Sequence, residues 1–148
     1  KKFMSEKNYH PPMHTAEHVL NQTMVRLFNC GRSFNAHIER KKSKCDYYLP
    51  APISLEQIKE IERIVNDELN KNHVITESFV TLTEASKYVD IAKLPDNVGD
   101  TIRIVSIGNY DHCACIGPHV SNTSEVGTFT ITTHSWENGV LRLRFKVE

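Results

Sequence analysis

No segment of this 148-residue chain is apolar over anything near the roughly 20 residues that span a bilayer. A charge surplus is missing too. Eighteen Lys and Arg offset eighteen Asp and Glu, so the formal net charge is zero with histidines neutral. Proteins that hold nucleic acid by bulk electrostatics carry a basic excess, so any RNA contact here is expected to use a local patch. No internal repeat, linker or low-complexity stretch interrupts the chain, and one domain over residues 1–148 is expected. The opening Lys1-Lys2-Phe3-Met4-Ser5-Glu6 has charges with no apolar run behind them, unlike a secretory signal. The reading is a cytoplasmic protein without a membrane partner. Its four cysteines (Cys30, Cys45, Cys113, Cys115) are then expected as reduced thiols or metal ligands rather than disulfides.

What is present is an ordinary globular composition, 39% hydrophobic and 24% charged, enough to bury a core without covalent staples. From His14 to Phe28, Val19, Leu20, Met24, Leu27 and Phe28 recur at helical spacing. Pro11-Pro12 ends whatever precedes that helix, and Gly31 is expected to close it in the left-handed conformation. Ser33–Glu39 and Lys44–Leu49 read as a strand pair around the charged turn Arg40-Lys41-Lys42-Ser43. Ser54 with Gln57 forms a capping box, followed by the stripe Leu55, Ile58, Ile61, Ile64, Val65 and Leu69, with Asn72 suited to the helix end. A strand over His73–Thr81 and a short helix over Thr83–Tyr88, capped by Thr83, come next. Strands are expected at Thr101–Ile107, Tyr110–Cys115, Thr128–His134 and Val140–Val147, with a turn at Asn138-Gly139. The fold class is α+β: two main helices packed on a mostly antiparallel sheet.

Two pairs of potential metal ligands stand out. In His14-Thr15-Ala16-Glu17-His18 the histidines are four apart, one turn of a helix, so both imidazoles can reach one ion. In Cys115-Ile116-Gly117-Pro118-His119 a Gly-Pro bend brings a thiolate and a third imidazole together at a strand end. One sulfur and three nitrogens suit tetrahedral Zn2+. Roughly a hundred residues separate the pairs, which is no zinc-finger spacing. His14-x-x-Glu17-His18 also matches the inverted motif of certain zinc proteases, with Glu17 as general base. Those enzymes take a carboxylate as third ligand and need a substrate chamber that a chain of this size can hardly build.

The two pairs in this order resemble the editing domain shared by alanyl- and threonyl-tRNA synthetases and its free-standing alanyl-tRNA editing relatives. Asn122-Thr123-Ser124-Glu125-Val126-Gly127 is similar to a family Asn-Thr-Gly-Glu-Ile-Gly stretch, and Ile61-Glu62-Arg63-Ile64-Val65-Asn66 to another family segment. Alanyl members usually have Cys-Gly-Gly-Thr-His where this chain has Ile116 and Pro118. Proline before the histidine is more like the threonyl branch, whereas His-Thr-Ala-Glu-His is more alanyl-like.

The resemblance implies an aminoacyl-tRNA deacylase that removes a wrong amino acid, serine above all, from the 3′ end of mischarged tRNA, without aminoacylation activity of its own. An aminoacyl ester is already activated, so positioning and polarisation matter more than a strong nucleophile, and zinc supplies both. Four protein ligands, however, ordinarily make a closed structural site. The alternative reading is therefore a non-catalytic, zinc-stabilised RNA- or partner-binding module. Glu17 is a candidate base, and Asn35 and His37 are candidates for contacting the amino acid, in a region where family members place polar groups. Cys113, two residues before Cys115, is expected on the same strand face. Arg40, Lys41, Lys42 and Lys44 form the best basic patch for tRNA phosphates.

Overall fold

The computed structural model describes residues 10–87 and 101–148. Helix α1 (Pro11–Phe28) begins directly on the proline pair. The prolines open this helix as well as ending what precedes it, because their fixed φ suits the first turn and their missing N–H groups need no partner there. At the other end Asn29, with φ 53°, takes the left-handed position and donates its N–H to Val25 O. Gly31 was expected in that role but is not among the positive-φ residues. The helix simply ends two residues sooner, and asparagine tolerates αL well enough to serve.

Strands β1 (Asn35–His37) and β2 (Ser43–Tyr48) form the expected antiparallel pair. Helix α2 (Leu55–Leu69) starts with the capping box: Gln57 N–H donates to Ser54 Oγ, and Ser54 N–H to Gln57 Oε1. Its buried face is Ile58, Ile61, Val65 and Leu69, while Leu55 at the first turn is exposed. The helix stops at Leu69, and Asn72 (φ 58°) turns the chain into β3 (Ile75–Thr81). The one-turn helix α3 (Leu82–Ala85) is capped by Thr81, whose hydroxyl accepts from Glu84 N–H. Thr83 therefore lies inside this helix and is not its cap, and the expected end at Tyr88 lies outside the described residues. Next come β4 (Thr101–Ile107), β5 (Asp111–Ala114), a 3-10 turn (Thr123–Glu125), β6 (Phe129–Glu137) and β7 (Val140–Val147). Asn138 and Gly139 both take positive φ, as a tight hairpin between twisted strands requires.

The strands are divided between two antiparallel sheets, one of order β1-β2-β7-β6 and one of order β3-β4-β5. Alternation along β7 places Leu141, Leu143 and Phe145 on the buried face and Arg142 and Arg144 on the other. The buried face joins Met13, Ala16, Leu20 and Met24 of α1 and Ile58, Ile61 and Val65 of α2 in the main core. A smaller cluster of Ala85, Ile102 and Ile104 supports the second sheet. Helix α1 lies between the sheets, touching both β5 and β7. One side of it is thereby held against the strand that leads to Cys115. No helix among the described residues is long and apolar enough to cross a membrane.

Candidate metal centre

The four expected ligands meet. Ligand atoms of His14, His18, Cys115 and His119 all lie within 4.8 Å of one another, with both α1 histidines buried. Cys115 Sγ is 3.5 Å from His14 Nε2 and 3.4 Å from His119 Nε2. Donors around tetrahedral zinc sit about 3.3–3.8 Å apart, given bonds of 2.0–2.3 Å. These two separations match that spacing, and the widest in the set is looser.

The surroundings orient the rings as metal ligands require. His14 Nδ1 donates to the Pro118 carbonyl at 2.9 Å. A carbonyl only accepts, so that nitrogen carries the proton and Nε2 turns a lone pair toward the sulfur. Thr15 Oγ1 is 2.9 Å from His119 Nδ1 and also accepts from Val120 N–H. His18 Nδ1 is buried without a hydrogen bond and faces Asp111 Oδ2 at 3.6 Å, an electrostatic contact longer than a hydrogen bond. Converging lone pairs beside a thiol need a cation, proton or metal, between them. One sulfur and three imidazoles, each with its other nitrogen turned to an oxygen, fit zinc.

Burial alone would push the Cys115 thiol up, but contacts from His119, His14 and His18 outweigh it and bring its pKa down to about 3. Burial and the neighbouring imidazoles His18 and His14 lower His119 to about 4, against the opposing pull of Cys115. Asp111 is held well below the carboxylate range: burial opposes ionisation, yet His18 and Arg32 more than compensate.

Two residues that sequence reasoning missed fix this geometry. Asp111, fully buried at the start of β5, accepts from Arg32 (2.6 and 3.3 Å) and Gln22 (2.9 Å) while facing His18. Arg103 of β4 donates to the carbonyls of Cys115 and Gly117 at 2.9 and 3.0 Å, and pairs with Glu77. It thus clamps the Cys115–Gly117 bend. An acid at a strand start and an arginine in a strand carry no spacing signal that links them to a site far away in the chain.

Beside the cluster lies a cleft of about 290 Å³ walled by His14, Glu17, His18, Asn21, Arg32, Ser33, Cys113, Ala114, Cys115 and Ile116. Cys113 therefore lies on the wall beside Cys115. Glu17, the candidate base, lines the cleft with Oε1 3.8 Å from His14 Nε2. It accepts a long hydrogen bond from Asn21 at 3.4 Å. Asn35 and His37 do not line it: Asn35 donates to Asp46, and His37 pairs with Glu39 at 2.6 Å. Arg40 and Lys41 are exposed, and Lys42 and Lys44 line a different cleft.

Residues 102–143 match the model of the threonyl and alanyl tRNA synthetase second additional domain. That span runs from β4 into β7 and contains Cys115 and His119, while His14 and His18 lie outside it. The first of the longer likenesses is extensive enough to include them. The chain is 30% identical over 145 residues to alanine–tRNA ligase of Petrotoga mobilis, covering 97% of this chain and 16% of that protein. It is 34% identical over 138 residues to the Methanococcus maripaludis (strain C6) ligase, covering 89% and 15%. With the Ligilactobacillus salivarius ligase it shares 35% over 124 residues, covering 82% and 14%. The chain thus spans about one-sixth of the length of these relatives. Fold, ligand cluster and likenesses agree that the chain is related to the alanyl-tRNA synthetases, through the editing-domain portion that carries their second additional domain.

Proposed function

We propose that this chain is a zinc-dependent deacylase of mischarged tRNA, with serine on alanine-specific tRNA as its substrate and no charging activity of its own. The observation that carries the reading is the convergence of His14, His18, Cys115 and His119 beside an open polar cleft. Zinc held by these four residues would supply Lewis-acid charge beside that cleft. The chain's residues do the rest. Pro118 O, Asp111 and Thr15 orient the three imidazoles. Glu17, the one carboxylate on the cleft wall among the described residues, takes the proton from the attacking water. Asn21 and Ser33 give the wall hydrogen-bonding capacity that suits a serine hydroxyl, which an alanine side chain leaves unused. That the wrong tRNA was charged elsewhere, so that editing occurs in trans, belongs to the same proposal, as does action in the cytoplasm.

The completeness of the donor set favours a second reading. Four protein ligands leave a zinc ion no open position unless one yields, and closed sets are ordinarily structural. On that reading the chain is a zinc-stabilised RNA- or partner-binding module. Release of serine from seryl-tRNA specific for alanine, measured beside correctly charged alanyl-tRNA, decides between them. The deacylase reading expects serine released, alanine spared, and the rate lost in H119A and after chelation. Zinc in the purified protein with no hydrolysis of either ester establishes the structural reading.

A further inference from the structure

We infer that the outer face of the four-stranded sheet is a binding platform for single-stranded RNA, adjoining the metal cleft. The inference rests on the proposed function and assigns the surface by which the 3′ end of the RNA is held. Register puts His37, Lys44 and Arg144 side by side across β1, β2 and β7, since His37 pairs with Lys44 and Lys44 with Arg144. Like charges in direct cross-strand register destabilise a sheet unless an anion lies over them. The carboxylates nearby are largely committed. Asp46 binds Arg142 through two hydrogen bonds of 2.8 and 2.9 Å, leaving Lys44 a contact of 3.8 Å, and Glu39 binds His37. Arg144 forms no ion pair among the described residues and reaches only Thr133 Oγ1, at 3.4 Å. Lys42, Lys44 and Arg144 line a cleft of about 240 Å³ with Glu39 as its one carboxylate. In a chain of zero net charge, this is a local cationic surplus.

Aromatic rings complete the pattern. Phe34 and Tyr48 stack with centroids 3.8 Å apart and planes at 10°, yet are 44% and 65% exposed. Tyr48 shares its sheet face with Asp46 and Lys44, about 13 Å along the strand from Lys44. An open stack with cations further along the same face is how proteins hold single strands: bases on the rings, phosphates on the cations. The platform also meets the cleft. Phe34 directly follows Arg32 and Ser33, both part of the cleft wall. An RNA end stacked on Phe34 would then lie next in the chain to Arg32 and Ser33 of that wall.

The probe is a fluorescein-labelled single-stranded RNA with a tRNA 3′-end sequence, followed by fluorescence anisotropy. F34A/Y48A is expected to bind about 5- to 100-fold more weakly, the loss of one stacked base. K44A/R144A is expected to reduce the steepness of the log Kd against log salt plot by about 1.4, two single-strand phosphate contacts. In the unmodified protein, RNA should shield Lys44 from acetylation, a readout independent of how the variants fold. No RNA binding, unchanged affinity and slope in both variants, or an unshielded Lys44 overturns the platform. Shielding that grows with protein concentration without RNA also overturns it, in favour of a second copy on this face. Ester hydrolysis by the same preparations keeps the readings apart: hydrolysis that persists with no platform effect leaves the deacylase standing, and platform-dependent binding without hydrolysis does the reverse.

Discussion

His18 owes its orientation to Asp111, a carboxylate that is fully buried and held from its far side by Arg32 and Gln22. Partners of this kind fix a ligating imidazole and raise its basicity, and their loss typically costs 10- to 100-fold in metal affinity. D111N keeps the shape and removes the charge. It is expected to weaken zinc binding by about that factor, read by competition with a chromophoric chelator, whereas unchanged affinity would show that the 3.6 Å contact does nothing for the ion. Single residues also show what the sequence conveyed. His14 and His18 were legible because their four-residue spacing is a property of the helix, and Cys115 with His119 because a bend joins them locally. Asp111 was not legible. Its relation to His18 exists only after β5 packs on α1. Asn35 and His37 read as substrate contacts on resemblance, but their strand carries them onto the outer sheet face.

At the level of elements, α2 and β6 are joined by more than apolar packing. β6 is an edge strand, and the backbone of its first three residues is bonded from the helix. Asn66 receives Phe129 N–H on its amide oxygen (2.8 Å) and donates to Phe129 O (2.9 Å), while Glu62 accepts from Ile131 N–H (2.8 Å). Two helix side chains thus stand in for a missing neighbour strand and blunt the edge. In the sequence Glu62 and Asn66 stand out only as part of the family-like segment 61–66, because periodicity reports which face a residue occupies but not what it bonds. N66A leaves two buried backbone groups unpaired and is expected to cost about 2–4 kcal/mol, visible as a lower urea midpoint at constant slope. The β2–β7 pair carries a second testable bond. Hydrogen bonds from Arg142 lead the interactions that hold Asp46 below its usual carboxylate range, against burial, with Asn35 and Lys44 adding to them. A carboxylate depressed in the folded state contributes stability that is complete above its unfolded pKa, about 4, and lost as pH falls through the folded value. Urea midpoints of the parent and D46N should therefore differ at pH 6 and draw together as acid protonates Asp46 in the folded state. A gap that persists in acid would assign the difference to lost packing instead.

For the molecule as a whole, helix and strand identity were largely legible, whereas the division into two sheets was not. The β-branched residues of β3 and β4 mark them as strands without naming their neighbours, and the division into two sheets, with α1 touching β5 of one and β7 of the other, is a tertiary feature that local pattern does not carry. The ligand cluster joins α1 to the segment after β5, so the binding energy of a metal held there would also be folding energy. Above the dissociation constant, each tenfold rise in free zinc should add about 1.4 kcal/mol to unfolding free energy, seen as a Tm that climbs with zinc and stops climbing in H119A. The same cluster has a consequence for synthesis. His14 and His18 precede Cys115 and His119 by roughly a hundred residues, an interval of about 5–20 s at ordinary translation rates. Through that interval the nascent chain presents a two-histidine half-site that lacks Cys115, the thiolate of the folded ligand set, and is open to whichever divalent ion is most available. Fidelity in choosing the ion is therefore settled late, when the second half of the chain arrives and the thiolate joins the histidines.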